Sequence, residues 1–231
     1  MIMNSLKTVL AAIIVLGLST MAYAQYAVGV KLGVNFADTK IGGFADNFLP
    51  EQQVYTGFTA GLIGEIPLKN GFAFRPEINY IQKGFITDIN AYDVDIFGVK
   101  SSLGAKAKTR YNYVDVPLLF KYSLGNDLAK AYVLAGPTIG YAANGHVRPV
   151  ANLILQVNLP KINLPLDSDV YQRFEVAATI GAGGEVKAGR GKIFADVRYN
   201  AGITDMLQNT IIDISSSNRG FAISGGYAYV F

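Results

Sequence analysis

The last stretch of the chain alternates between two kinds of residue, and this alternation constrains the fold most strongly. One parity holds large apolar and aromatic residues: Phe221, Ile223, Tyr227, Tyr229 and Phe231. The other parity holds small residues, with Val230 as the exception: Ala222, Ser224, Gly226 and Ala228. Because successive side chains of a β-strand point to opposite faces, the stretch predicts a closing strand with one aromatic face and one small, weakly polar face.

Composition extends this prediction to the whole chain. The sequence is 51% hydrophobic and holds 25 Gly, 14 Tyr and 13 Phe. After residue 24, no apolar run approaches the ~18 residues of a membrane helix. Short alternating strands fit this composition, which a secreted β-sandwich would share. The formal net charge is only +3, so we expect no nucleic-acid partner.

The first 24 residues have the layout of a secretory signal peptide. Lys7 precedes an apolar run at 9–18, and Ala22-Tyr23-Ala24 follows as a cleavage site. The apolar run is shorter than the about 20 residues that a helix needs to cross a bilayer. We therefore predict a signal peptide at 1–24 and one mature domain at 25–231. The sequence has no cysteine, which excludes disulfides and lipid attachment through cysteine.

Eight segments of the mature chain carry a strand-like alternation, and in most of them charged residues keep to one parity. They are 26–37, 55–68, 72–86, 109–123, 131–143, 171–188, 192–203 and the closing strand. The connections alternate in length. Short ones lie near 69–71, 124–130 and 188–191, and long ones at 38–54, 87–108, 144–169 and 204–218.

Short turns that alternate with long loops are typical of transmembrane barrels. We predict an all-β, antiparallel, up-and-down transmembrane β-barrel of eight strands, with four long extracellular loops. Segment 153–159 either extends two strands or forms an extra hairpin, so a barrel of ten strands is the alternative. The chain has no Trp, so Tyr and Phe are expected to form the aromatic girdles at the membrane interfaces.

The charged parity is expected to face the barrel interior. A Lys or Arg that faces lipid at the bilayer midplane costs about 2–4 kcal/mol, whereas a soluble, lipocalin-like barrel would place its charges outside. The signal peptide, the unequal connections and the aromatic ending favour charges inside. The predicted lumen charge network comprises Lys31, Glu65, Arg75, Glu77, Lys83, Asp115, Lys121, Arg173, Glu175, Glu185, Lys187, Asp196 and Arg198.

The lumen of an eight-stranded barrel is only just wide enough for the barrel's own side chains. Charges packed there must pair, since removal of one partner of a buried ion pair costs about 3–5 kcal/mol. We therefore expect an internal ion-pair network that plugs the barrel. A selective pore or a proton-linked gate is the alternative.

Three prolines fall within predicted strands: Pro76, Pro117 and Pro137. A proline removes one hydrogen bond from a strand ladder. We expect a local bulge or a broken ladder at each of them, on the side of the short turns. The functional alternative is a lateral opening in the barrel wall.

No catalytic, cofactor or metal site is expected. His146 is the one histidine, in a predicted loop that also holds Asp167 and Asp169, while Asp205 and Asp213 lie in the last loop. No nucleophile motif accompanies these residues. A metal site would have no cysteine and no second histidine to use.

Two sets of residues resemble known outer-membrane proteins. Ser224, Gly226, Tyr229 and Phe231 resemble the C-terminal signal that the barrel-assembly machinery reads in bacterial outer-membrane barrels. Four stretches together resemble the PorT-like outer-membrane β-barrel domain family, and the resemblance covers essentially the whole mature chain. They are Gly29-Val-Lys-Leu-Gly-Val-Asn-Phe36, Arg75-Pro-Glu-Ile-Asn-Tyr-Ile-Gln-Lys-Gly84, Tyr111-Asn-Tyr-Val-Asp-Val-Pro-Leu-Leu-Phe-Lys-Tyr122 and Tyr132-Val-Leu-Ala-Gly-Pro-Thr138.

The resemblance implies a small, porin-like barrel in the outer membrane of a Gram-negative bacterium. Its expected partners are outer-membrane lipid and, during biogenesis, the barrel-assembly machinery. We predict a non-enzymatic structural or binding platform whose long loops meet an extracellular ligand or envelope protein that the sequence does not identify. The alternatives are a narrow channel for small solutes or ions and a component of an envelope secretion or assembly complex.

Overall fold

The computed structural model describes residues 26–43, 52–96, 99–152, 156–164, 173–204 and 214–231. Its strands are β1 (Ala27–Gly43), β2 (Gln52–Pro67), β3 (Phe72–Ile96), β4 (Val99–Gly125), β5 (Ala129–Asn152), β6 (Gln156–Asn158), β7 (Ile162–Asn163), β8 (Phe174–Ala188), β9 (Gly191–Gly202) and β10 (Ile214–Val230). Among the described residues, no helix is long and apolar enough to cross a membrane. The predicted signal peptide lies outside the described residues.

Eight long strands close into one antiparallel barrel. Each pairs with its neighbour in the chain, β5 pairs with β8, and β10 pairs with β1 to close the sheet. The predicted all-β, eight-stranded, up-and-down barrel is confirmed. The two short strands β6 and β7 each pair antiparallel with the upper part of β5, at Val150–Asn152 and at His146 and Val147. They extend the pairing of β5 above the wall and add no ninth and tenth wall strand.

The described strands are joined at one end of the barrel by short turns, centred on 68–71, 126–128 and 189–190. Asn70 and Gly71 have φ angles of 57° and 81°, which is the left-handed pair that an Asn-Gly hairpin turn needs. We call this the lower end of the barrel. The opposite end, where the longer connections lie, is the upper end.

The strands of the upper end are longer than the alternation predicts. β3 and β4 remain paired from Thr87↔Ala107 to Ile96↔Val99, with one irregularity beside Asn90. The predicted long loop at 87–108 is therefore wrong, and this segment is a hairpin. The alternating sequence Tyr92-Asp-Val-Asp-Ile96 has a strand pattern, and a strand beyond the hydrocarbon needs no apolar face, so its charges do not end it. Likewise, β5 continues to Asn152.

The prolines interrupt the ladders without changing the register. Between β2 and β3 the pairing stops after Ile63 and resumes at Ile66, beside Pro76. Similar two-residue gaps lie beside Pro117 and Pro137 in the β3–β4 and β4–β5 ladders. The predicted broken ladder is confirmed, and no bulge forms at these three positions, because each proline only removes a donor.

The polarity of the wall is inverted relative to a soluble barrel. Leu32 on β1 and Phe120 on β4 are 67% and 58% exposed, whereas Arg75 and Lys121 are 0% exposed. Apolar side chains thus face outward and charged side chains face inward. This is the arrangement of a barrel whose solvent is lipid, and it excludes the lipocalin-like alternative.

Aromatic pairs occur near both edges of the apolar band. The upper pairs are Phe58–Tyr80, Tyr141–Phe174 and Tyr199–Phe221, and the lower pairs are Phe72–Tyr122, Phe74–Phe120 and Tyr229–Phe231. Phe72 and Tyr80 on β3 are about 26 Å apart along an ideal strand. For a strand tilted by about 40° this length is roughly 20 Å along the barrel axis, somewhat less than the roughly 25 Å apolar band of an outer-membrane barrel.

Candidate functional site

The candidate site is the barrel lumen, where polar side chains from all eight wall strands meet. The structure buries eleven members of the predicted charge network there: Lys31, Glu65, Arg75, Glu77, Lys83, Asp115, Lys121, Glu175, Glu185, Asp196 and Arg198. Alternation places them, because each belongs to the inward parity of its strand. They form three clusters along the barrel axis.

The central cluster is built around Arg198. Its Nη1 and Nη2 donate to Glu77 Oε2 and Oε1 at 2.8 and 2.9 Å, and its Nε donates to Asp196 Oδ1 at 2.8 Å. One guanidinium therefore clamps carboxylates from β3 and β9 with two of its edges, the geometry in which arginine binds most strongly. Lys31 Nζ adds a second cation, 2.8 Å from Glu77 Oε2.

Arg75 completes the central cluster. Its Nε lies 3.0 Å from Glu77 Oε1, but the Nε hydrogen is not aligned for a hydrogen bond. The guanidinium carbon lies 4.5 Å from the centre of the Phe194 ring and 5.8 Å from that of Tyr132. Arg75 is thus held by charge and by two aromatic faces. It fills the middle of the lumen with side-chain volume.

The lower cluster consists of two lysines and two glutamates. Lys121 Nζ lies 3.0 Å from Glu65 Oε2 and also bonds Glu185, while Lys192 Nζ lies 3.0 Å from Glu185 Oε2 and also bonds Glu65. Each charge thus contacts both opposite charges. The cluster is neutral and lies in the lumen above the short turns.

The upper cluster has one cation for two anions. Lys83 Nζ lies 3.1 Å from Asp115 Oδ2 and 3.2 Å from Glu175 Oε1. It also lies 4.4 Å from the centre of the Tyr113 ring. The central cluster has one surplus cation and the upper cluster one surplus anion, so the three clusters together hold six cations and six anions.

Two predicted lumen charges lie outside the three clusters. Lys187 is exposed beside the β8–β9 turn and lines the mouth of the cavity at the lower end, while its cross-strand neighbour Lys192 contacts both glutamates of the lower cluster. Arg173 precedes β8, and its Nη1 donates to the hydroxyl of lipid-facing Tyr141 at 2.8 Å. The start of β8 places Arg173 at the upper girdle, away from the three clusters.

Sequence reasoning missed Lys192, Tyr132 and Phe194. Lys192 sits next to a turn, where strand parity is hard to assign. Tyr132 is buried, and its hydroxyl donates to Asp196 Oδ2 at 3.0 Å. Phe194, 2% exposed, packs inside. Alternation places both rings inward. Phe194 shares its parity on β9 with Asp196 and Arg198, and Tyr132 has the parity opposite to Val133 on β5.

A cavity of about 800 Å³ lies at the lower end, lined in part by Glu65, Glu185 and Lys192 and by the turn residues Leu68 and Arg190. The lower cluster forms its inner wall. Within the described ranges, no group of three or more His, Asp or Glu residues has the arrangement of a metal site.

The four residues of the assembly signal divide between the two faces of β10. Ser224 Oγ donates to Asp196 Oδ1 at 2.9 Å, inside the barrel. A Cβ added to Gly226 would lie 2.7 Å from Phe194 Cζ, so this position needs glycine. Tyr229 and Phe231 pack edge to face at 4.9 Å. Recognition by the assembly machinery stays a prediction.

The acidic loop residues Asp167, Asp169, Asp205 and Asp213 lie outside the described residues. His146 lies on β5 rather than in a loop and is half-buried. Partial burial and then the neighbouring cations Arg110, Lys161 and Arg148 lower the pKa of His146.

Several solved structures resemble the chain at low sequence identity, with TM-scores below 0.5. Neisserial surface protein A is 10% identical, with 89% of this chain and 96% of that chain covered and a TM-score of 0.43. OprG from Pseudomonas aeruginosa is 9% identical, with 90% and 96% covered and a TM-score of 0.44. Ail, the attachment invasion locus protein of Yersinia pestis, is 12% identical, with 89% and 99% covered and a TM-score of 0.39.

At these identities the likeness concerns the fold alone. No curated protein sequence matches the chain. Residues 22–208 match the family described as outer membrane protein beta-barrel domain, and the chain therefore belongs to this family of bacterial outer-membrane barrels.

Proposed function

We propose that the protein is a closed, non-enzymatic barrel that serves as a structural or binding platform, with its upper strand extensions as the working surface. The contact between Glu77 and Arg198 carries this proposal, since it joins opposite walls of the barrel at 2.8 and 2.9 Å. A solute that crosses the lumen would have to separate this pair. Breaking a buried pair costs about 3–5 kcal/mol.

The upper extensions support the platform reading. β3 and β4 have 25 and 27 residues, whereas a transmembrane strand needs about 9–11. The surplus lies beyond the apolar band on the upper side. A paired hairpin of this length presents a pre-ordered surface to a partner, and pre-order reduces the entropy lost on binding.

Shortening the hairpin tests the platform. The variant joins Ile89 to Ala105, which are direct cross-strand partners, through an Asn-Gly turn, so the register below stays intact. In cross-linked, intact envelopes, wild type is expected to capture a protein or glycan that the shortened variant loses. Equal capture by a heat-modifiable, folded shortened barrel would contradict the platform role of this hairpin.

A narrow channel is the second candidate, supported by the cavity of about 800 Å³ at the lower end and by the charged lumen. In that case the lower cluster would be a gate. Liposome swelling with small sugars and amino acids separates the two candidates, since a closed barrel leaves the liposomes unswollen and a channel does not.

We further propose the narrower assignment to the PorT-like group and cleavage of the signal peptide after Ala24, both on the motifs described above. N-terminal sequencing of the protein from outer membranes tests the cleavage. A first residue of Gln25 is expected, and an intact Met1 would contradict it.

A further inference from the structure

The outer face of the β4–β5 pair carries a concentration of cations just above the upper girdle. Lys108 and Arg110 alternate on β4, and their direct partners on β5 are Arg148 and His146. Lys161, which precedes β7, is exposed and is one of the cations that lower the pKa of His146. We call Lys108, Arg110, His146, Arg148 and Lys161 the basic patch.

A bulge brings the two halves of the patch together. The β4–β5 register shifts by one residue between Asn112 and Tyr113, and Ala143 is the extra residue on β5. Below the shift, even-numbered residues of β5 such as Ala142 face inward. One extra residue reverses the parity of everything above it. His146 and Arg148 therefore lie on the outward face instead of in the lumen.

The parity of β4 shows which face this is. Thr109 and Tyr111 are buried on the inward parity, whereas Val114 on the outward parity is 39% exposed. Lys108 and Arg110 share the parity of Val114, and directly opposed residues in a sheet lie on the same face. The basic patch thus lies on the outward parity of β4 and β5, where Lys161 is exposed, the other four residues are half-buried and the adjacent Val150 is buried.

Pairing within the sheet does not explain the patch. Cations directly opposite one another destabilise a sheet, and here Arg148 faces Lys108, while Arg110 faces His146, whose lowered pKa disfavours a charge. On the other side, β3 places Ile86 and Gly84 against these two cations of β4. Arg110 Nε is buried and has no hydrogen-bond partner among the described residues. Such an arrangement suits an anion supplied from outside the chain.

The height of the patch identifies the anion. Val114 lies at the upper edge of the apolar band, and Arg110 is four residues further up β4. On a tilted strand this places Arg110 about 10 Å above the apolar edge. The polar headgroups occupy this zone of a bilayer, and the long side chains of Arg and Lys reach down toward it. We propose that the basic patch binds the phosphate groups of lipid headgroups in the leaflet around the upper end of the barrel.

The test compares lipids that differ only in phosphate. The purified barrel in phosphatidylcholine nanodiscs is offered diphosphorylated lipid A or its dephosphorylated form, and retained lipid is counted by native mass spectrometry. Arg110→Gln with Arg148→Gln is expected to weaken retention of the phosphorylated form roughly 25-fold, about fivefold for each charge. Arg110→Lys with Arg148→Lys should retain most of the binding.

The matched control, Lys69→Gln with Lys187→Gln, removes two exposed cations at the lower end and should leave retention unchanged. Inorganic phosphate at millimolar concentration should not displace the lipid. The proposal is overturned if both lipids are retained equally, if the glutamine variant folds and binds like wild type, or if free phosphate competes as well as the lipid.

Discussion

Glu77 and Arg198 stand on opposite walls of the barrel, four strands apart in either direction, and two hydrogen bonds of 2.8 and 2.9 Å join them. Backbone hydrogen bonds of the sheet join only neighbouring strands. This pair instead ties the two halves of the wall across the lumen. We therefore expect this pair to contribute to the stability of the barrel as well as to the closed lumen that we propose.

Glu77→Gln is predicted to lower the free energy of unfolding by about 3–5 kcal/mol, because Lys31 and Arg198 would lose their shared carboxylate in a buried site. Urea unfolding in lipid vesicles measures the change. Asp127→Asn, in an exposed lower turn, is the control and should change the unfolding free energy by less than about 0.5 kcal/mol.

The upper cluster predicts unequal effects for its members. Lys83→Met leaves Asp115 and Glu175 without their shared cation and should destabilise the barrel by about 3–5 kcal/mol. Asp115→Asn removes the surplus anion while Lys83 keeps Glu175 at 3.2 Å, so its cost should be clearly smaller. The same unfolding assay compares the two, and an equal or reversed order would contradict the charge count of this cluster.

Gly226→Ala tests the packing of the closing strand. The added Cβ would lie 2.0 Å from the Val30 carbonyl oxygen and 2.7 Å from Phe194 Cζ, and such overpacking costs about 1–3 kcal/mol. Gly184→Ala is the matched control on the lipid face, where the nearest atom is 3.8 Å away. Thermal unfolding on heat-modifiability gels should separate the two variants, and equal melting would refute tight closure at Gly226.

Deletion of Phe231 should impair assembly more than stability. Phe231 is 70% exposed, and its backbone nitrogen donates one hydrogen bond to Tyr26 at 2.9 Å. We expect the truncated protein to refold in detergent with nearly wild-type stability, yet to accumulate in the periplasm of cells. Wild-type levels in the outer membrane would remove the support for an assembly signal.

His146 predicts a pH dependence of stability. Its pKa is lowered in the folded barrel, so below the unfolded pKa of about 6.5 the unfolded chain binds more protons. Stability in uncharged detergent should therefore fall as the pH drops from 7.5 through this range. His146→Gln should flatten that part of the profile, and an unchanged slope would show that other groups account for it.

The alternation of apolar and polar residues is enough to predict the transmembrane part of each strand. One face of the strand must be apolar because it meets lipid, and charged residues such as Glu77 and Asp196 then fall on the opposite face. Alternation does not predict where a strand ends outside the membrane, because there neither face of the strand has to be apolar. It also does not predict Ala143 as a bulge, so His146 reads as a loop residue. The sequence also does not show which of Lys187 and Lys192 belongs to the lower cluster, because this depends on which lysine reaches Glu65 and Glu185 in the folded barrel.

Single-channel recording tests the closed lumen most directly. Purified wild-type protein in planar bilayers is expected to show no discrete conductance, whereas Glu77→Ala with Arg198→Ala, which removes the diametric pair, should show small openings. Lys187→Ala, at the exposed lower rim, should remain silent like wild type. Reproducible discrete channels from folded wild-type protein would contradict a plugged barrel.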